Sequence, residues 1–584
     1  MINRLLSFRT SGSRPQQSPH LDTRFQPARS TARTIAWCTS LDGDFIGHGR
    51  QRPAAVSGPG RLRRRECPSP QFGRVAAPRR CYDSFVSIEA ALVLKHDARK
   101  QAGAFYTPPD ALRSLVRWVA RSPTDRMLDP SCGDGRFLAA HERSVGVEQD
   151  PSAYALACRR APWALIHEGE FFDWAATTKE RFECAAGNPP FIRYQRFSGT
   201  TRERALRLCA ALGAPFSALT SSWAPFLVAT AALLKRGGRM AFVVPSEIGH
   251  APYAVPLLRF LASHFTKVHL VAVRERVFTE LSEDILLLFA DGFGEQTSEL
   301  DLTITDRFQY SPDPPAVTRR VGVREWEDWY QRLRPFLLPA SVRDLYQDLV
   351  RSPSAARLGT LAKVGIGYVT GANDFFHLRP SRAEAAGIAP AFLRPSVRNG
   401  RVLTGNSVTA STVRRWLKAD EPVLLLKLSS DTPLTPAVKR YLNSPEGRGA
   451  QATYKCRHRS PWYVVPDVTV PHAFLTYMSS YGPALVANRA RCVGTNSVHT
   501  VNLTGDWSLS KLQRAWEDPF TSLSCEIEGH PLGGGVLKVE PGEAVRVALV
   551  TKQRWSDEER CLIAEGVDTM RQWRHCRGQE AQAV

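Results

Sequence analysis

The sequence predicts an α/β fold: a doubly wound, mainly parallel sheet over residues 86–295, followed by a mixed α+β domain over 355–555. Three observations lead there. Helical and strand-like apolar patterns alternate through 86–295, as they do when helices cover both faces of a parallel sheet. One short apolar run ends in a glycine-bearing turn, Asp129-Pro130-Ser131-Cys132-Gly133-Asp134-Gly135, that opens into a helix. Acidic or amide side chains then recur at the carboxyl ends of the following runs, the rim where such sheets bind their ligands.

Taken in order, Leu112, Leu115, Val116 and Val119 mark one apolar face of a first helix. Arg126–Leu138 reads as strand, turn and helix opening. Ser144–Glu148 reads as a second strand ending in an acid, and Ala164–His167 as a third, leading into Glu170-Phe171-Phe172-Asp173-Trp174. Phe182–Gly187 is a strand tipped by Asn188-Pro189-Pro190-Phe191. Ser222–Lys235 has the pattern of a helix stopped by Gly237-Gly238, Arg239–Val244 that of a buried strand closed by Pro245, and Ile285–Phe289 that of a further strand. Residues 296–354 read as a helical linker with its clearest stretch near Trp326–Val350, and 556–584 as a C-terminal tail.

Residues 1–85 differ from the rest. They are rich in Arg, Pro, Ser and Gly, lack lysine, and cluster charge at Arg61, Arg63, Arg64 and Arg65, so a disordered basic arm is expected. The whole chain of 584 residues is long enough for two or three cores, and its net charge of +21 favours a polyanionic partner. No apolar run reaches the roughly 18 residues a membrane helix needs. The 12 cysteines lack metal or redox spacing, so reduced thiols, a soluble chain, a cytoplasmic setting and no metal are expected.

The Asn188 tetrapeptide carries the chemistry. An amino nitrogen on an aromatic ring or carbonyl is a poor nucleophile because its lone pair is delocalised. A side-chain amide oxygen and a rigid carbonyl can hold both N–H bonds and turn that lone pair outward. Asn188 and the Pro189 carbonyl have the required types, two prolines stiffen the backbone, and Phe191 offers a flat face to a planar substrate. The plainer alternative is a strand-ending turn. Upstream, the glycine turn lacks both the three-glycine dinucleotide spacing and a phosphate-loop lysine, which leaves a nucleoside without phosphates. Glu148 is placed to accept hydrogen bonds from ribose hydroxyls, and Glu170 to meet an adenine amino group beside an aromatic wall.

In this order the residues resemble the amino-group DNA methyltransferases that make N6-methyladenine, in the subclass whose catalytic domain precedes a target recognition domain. The likeness runs from Lys100 to Leu503. It implies a Rossmann-like methyltransferase sheet, S-adenosyl-L-methionine as cofactor, double-stranded DNA as partner, and a restriction-modification setting with room for a separate cognate restriction endonuclease. Within it, Gly103–Pro109 corresponds to the segment over the methionine end of the cofactor, with Thr107 as contact; Asp129, Ser131 and Gly133 to the glycine loop; Glu148 to the ribose acid; Glu170 with Phe171 to the adenine-holding pair. Asn188, Pro189, Pro190 and Phe191 correspond to the catalytic motif. Phe278, in Arg276-Val277-Phe278-Thr279, corresponds to the aromatic that stacks on a flipped base; Phe265 and Phe289 are nearby alternatives that read better as core residues. Phe191 stands where Tyr is commoner, Glu170 where Asp is, and Thr279 where proline often follows.

Gly365–Phe376, Tyr454–Tyr463 and Gly494–His499 resemble parts of the recognition domain. The middle segment interleaves cations and aromatics, which suits phosphate and base contact or, equally, a basic hairpin around a buried Trp. Residues 1–85 are expected to be either an arm that touches DNA or the product of a mis-set start codon. They show no nuclease pattern, so modification without cleavage is expected. Two other readings share the evidence: a methyltransferase for ribosomal RNA guanine N2 or a protein glutamine, and a non-catalytic DNA-binding specificity subunit.

Overall fold

The computed structural model describes residues 107–275, 284–532, 534–551 and 554–576. The basic segment 1–85, Gly103–Tyr106 and Phe278 lie outside the described residues.

Nine strands form one sheet in the order β3-β2-β1-β4-β5-β7-β6-β8-β9. They are β1 (Met127–Asp129), β2 (Ser144–Glu148), β3 (Leu165–Glu168), β4 (Phe182–Gly187), β5 (Leu234–Pro245), β6 (Phe265–Val273), β7 (Ile285–Phe293), β8 (Glu299–Thr305) and β9 (Arg319–Gly322). The first five run parallel, β7 is antiparallel to both β5 and β6, and β9 is antiparallel to β8. The order reverses at β1, whose neighbours are β2 on one side and β4 on the other, so the ends of β1, β2 and β4 share one crevice.

Alternation along the strands explains why both faces are covered. Phe242 and Val244 of β5 point to one face and Ala241 and Val243 to the other. The second face receives helix α1 (Pro109–Val119), which buries Leu112, Leu115, Val116 and Val119 as its periodicity predicts and leaves Arg113 and Arg117 exposed. The first receives α4 (Phe171–Thr177), α5 (Gly199–Ala211), α6 (Trp223–Ala231) and α7 (Ala254–His264); α2 (Arg136–Ala139) and α3 (Pro151–Arg160) pack beside β2 and β3. The helix expected over Ser222–Lys235 stops at Ala231, and Lys235 through Gly238 already belong to β5.

Two expectations about the ends of the domains are corrected. The stretch 296–354 is no linker: it supplies β8 and β9 to the sheet, and its helices α8 (Val323–Asp328) and α9 (Ala340–Arg351) bury Trp326, Val342 and Tyr346 in the main core. Nor is 556–584 a tail throughout. Asp557–Trp573 is a helix capped by Ser556, and its Ile563, Val567 and Met570 complete that same core together with Phe520 and Leu523. Buried ion pairs reinforce the seam. Arg332 meets Glu543 at 2.7 Å, and Arg574, fully buried, meets Glu526 at 2.7 Å.

The region from 355 onward is mixed α+β, with a five-stranded, a four-stranded and a three-stranded sheet and short helices between. Its first and last strands, Ala355–Arg357 and Ala548–Val550, pair antiparallel. Among the described residues no helix is long and apolar enough to cross a membrane.

Candidate active site

Asp129, Glu148, Glu170 and Asn188 sit at or just after the ends of parallel strands, and Thr107 just before α1. Asp129 closes β1 and is only 1% exposed, with one carboxylate oxygen accepting from the Ser131 N–H at 3.2 Å. Burial pushes its carboxyl up to about 8, and the nearby charges of Glu148 and Asp134 add to the rise while the Ser131 N–H opposes it. Because β1 and β4 are neighbours, Asp129 lies against the residue that precedes Asn188. A Cβ on Gly187 would stand 2.7 Å from the Asp129 Oδ1, so glycine there leaves room for the buried carboxylate.

The turn after β1 is held to β2 by Glu148. One of its carboxylate oxygens accepts from the Gly133 N–H at 2.8 Å and the other from the Asp150 N–H at 2.8 Å; burial raises its pKa above the ordinary carboxylate value, against these two bonds. Gly135, at φ +84°, then enters α2, where a side chain would meet the Ala157 backbone at 2.8 Å. Glu170 caps α4, accepting from the Asp173 N–H at 3.0 Å, and burial raises its pKa too.

Two hydroxyls assigned from the sequence, Thr107 Oγ1 and Ser131 Oγ, are buried without a hydrogen-bond partner. A buried hydroxyl left unpaired costs about 1–3 kcal/mol, so each of the two retains hydrogen-bonding capacity for a polar ligand. Phe171 departs from expectation. It is a core residue stacked on Phe226 at a centroid distance of 5.0 Å and 13°, so one face of the ring expected to wall the site is committed to packing. Phe265 and Phe289 are buried in the core, as their sequence reading has them.

Asn188 and Phe191 are half-buried, Pro189 is buried, and Phe191 packs against the cores on both sheet faces. The residue that holds this motif was not found from the sequence. Ser222, at the start of α6, hydrogen-bonds through its hydroxyl to the Pro190 carbonyl and accepts from the Ile192 N–H at 3.0 Å; its own N–H donates to the Ile192 carbonyl at 2.9 Å. In the sequence Ser222 reads only as the first residue of a helix.

The segment Tyr454–Tyr463 divides as neither sequence alternative did alone. Trp462 is half-buried against the core of its sheet, whereas Tyr454 is 60% exposed with the Arg457 guanidinium 5.4 Å and the Lys455 ammonium 5.9 Å from its ring centroid. Three short helices, Pro436–Leu442, Pro445–Ala452 and Tyr454–Arg457, bury Val438, Tyr441, Ala450 and Cys456 and expose Lys439, Arg440, Arg448 and Arg457. Glu446 is the one acid among residues 436–459.

The family model described as N-6 DNA Methylase matches residues 91–250, and that described as Type II methyltransferase M.Eco57I, C-terminal domain, matches residues 330–577. The second match therefore takes in α9 and most of the segment read as a tail. Type II methyltransferase M.AccI of Acinetobacter calcoaceticus is 20% identical over 80% of this chain and 89% of its own length. Type II methyltransferase M.XamI of Xanthomonas campestris pv. amaranthicola is 25% identical over 77% and 85%. The solved structure of the restriction-modification enzyme MmeI in complex with DNA matches with a TM-score of 0.42 and 12% identity, covering 83% of this chain and 78% of that one.

Proposed function

We propose that this chain, a DNA methyltransferase of the restriction-modification kind with an N-6 DNA methylase region ahead of an M.Eco57I-type C-terminal domain, methylates N6 of an adenine flipped out of duplex DNA. The observation that carries the reading is the meeting of two strand ends. Asn188 follows Gly187 directly against Asp129, with the Pro190 carbonyl already taken by Ser222.

The residues present fit S-adenosyl-L-methionine. Thr107, Asp129, Ser131 and the Gly133 loop would hold its methionine end, where two unpaired hydroxyls and a buried carboxyl suit an amino acid with a cationic amine. Glu148 keeps further lone pairs for ribose hydroxyls, and Glu170 for an adenine amino group. Bound there, the cofactor supplies an electrophilic methyl on a sulfonium. Asn188 Oδ1 and the Pro189 carbonyl would accept the two N–H bonds of the target amine and favour its more tetrahedral, more positive form. Phe191 offers stacking that offsets the few kcal/mol needed to unstack a base, and Phe278 is the proposed second face. No base is required before transfer, since the proton can leave the methylated nitrogen afterwards.

Incubation with cofactor labelled in its methyl group is expected to label duplex DNA and not ribosomal RNA, with N6-methyladenine recovered after digestion. Label in guanine of RNA, or in a protein glutamine, would displace this reading with its nearest rival.

The excess of cations over acids in residues 436–459, where Glu446 is the single acid, supports duplex DNA as the partner, because phosphates demand cations. Replacing Lys439, Arg440, Arg448 and Arg457 together by alanine is expected to reduce the slope of log affinity against log salt by about 3–4, with cofactor affinity unchanged. A titration over several salt concentrations checks this, and an unaltered slope would remove the face from the interface.

A further inference from the structure

We infer that Ser222 is a positioning residue for methyl transfer: its hydroxyl ties down the second proline carbonyl of the catalytic motif and so leaves the first one, that of Pro189, to receive the substrate amine. The inference rests on the adenine-methylation reading above.

The need for such a residue follows from the motif's own chemistry. In Asn188-Pro189-Pro190-Phe191 two consecutive residues have no N–H, so the tetrapeptide has few donors of its own with which to fix its conformation. Its carbonyls keep their full demand for partners, which is costly to leave unmet in a half-buried turn. A donor from elsewhere in the fold must meet it. Ser222, 1% exposed, does so with its hydroxyl and its N–H, while its carbonyl accepts from the Phe226 N–H of the helix. The hydroxyl proton goes to the Pro190 carbonyl, an oxygen lone pair receives the Ile192 N–H at 3.0 Å, and the Ser222 N–H reaches the Ile192 carbonyl at 2.9 Å. Three bonds thus bracket Phe191 on both sides.

Ser222 is itself anchored. The next residue, Trp223, is fully buried, and its indole N–H donates to the Tyr253 hydroxyl at 3.2 Å, which in turn donates to Glu247. The support therefore runs from a core helix through one hydroxyl to the backbone that carries the acceptors. With the Pro190 carbonyl engaged, the amine has the Asn188 oxygen and the Pro189 carbonyl to meet, which is the pair needed to aim one lone pair.

The test compares Ser222→Ala, Ser222→Thr and Ser222→Val in the full-length chain. Single-turnover methylation of a duplex substrate is read alongside cofactor affinity by calorimetry and thermal melting. Ser222→Ala is expected to lose on the order of 10²-fold in the transfer rate, the scale of a small misplacement of reacting groups, with cofactor affinity within about threefold of the parent. Thr and Val have the same shape and differ by the hydroxyl, so Thr should transfer at least tenfold faster than Val. The inference is overturned if Ala transfers within about threefold of the parent rate, if Val is as fast as Thr, or if rate, cofactor affinity and melting fall together. A parent protein that methylates no adenine would refute the functional reading instead, which separates the two failures.

Discussion

Replacing Asn188 by alanine is expected to lower the rate of methyl transfer by about 10²–10³-fold or more, the scale seen when one preorganised polar contact to a developing charge is removed. The effect should fall on turnover. Asn188 sits at the end of β4, whereas the groups assigned to the cofactor sit on the ends of β1, β2 and the turn before α4, so cofactor affinity should persist. An N188A protein that binds S-adenosyl-L-methionine normally and transfers its methyl at near-parent rate would remove the side-chain amide from the chemistry. Melting should change little, because the residue is half-buried and its loss opens no cavity in either core.

Asp129→Asn is expected to do two opposite things. In the unliganded protein the Asp129 carboxyl has its pKa raised to about 8 by burial, against an ordinary value of 3.8. Between pH 4 and 8 the folded chain thus holds a proton that the unfolded chain has released. Stability from this group is fully present below pH 4 and is lost as pH rises toward 8. Asparagine has no charge to bury, so the variant should melt higher than the parent at pH 8 by an amount worth a few kcal/mol, and the gap should close toward pH 4. Function should move the other way. A cationic ligand at the rim draws the proton off Asp129, so the parent should bind cofactor more tightly as pH rises through 7 and release a proton on doing so. D129N should bind on the order of 10–100-fold more weakly, as expected for loss of one charge-assisted hydrogen bond. Melting curves from pH 4 to 8 with calorimetry in buffers of different ionisation enthalpy measure both. A variant no more stable than the parent at pH 8 would show that the carboxyl is not strained there.

What could be read from the sequence was local. Asp129, Glu148 and Asn188 are each the last or next residue of a short apolar run, and strand, turn and side chain lie within a few positions of one another. The alternation of helix and strand then put them on one rim. What was missed depends on partners far along the chain. β8 finds its place by pairing with β6 and β9, so 299–322 carries no signal that it extends the catalytic sheet. The final helix is amphipathic in isolation, but which core it completes depends on Trp326 and Tyr346, more than 200 residues earlier in the chain. Phe171 shows the same limit: the sequence offers it as an aromatic wall beside Glu170, while the stacking of Phe226, from a different helix, on one of its faces depends on the fold.

The pairing of Ala355–Arg357 with Ala548–Val550, together with the return of Asp557–Trp573 to the main core, makes the second domain an insertion and not an appendage. Packing crosses that boundary, since Phe520, Ser524, Glu526 and Glu543 lie between the paired strands and meet Tyr346, Arg574 and Arg332 outside them. A second region transplanted at those strands would therefore have to bring matching partners for Trp326, Tyr346, Arg332 and Arg574, or leave buried arginines and glutamates unpaired.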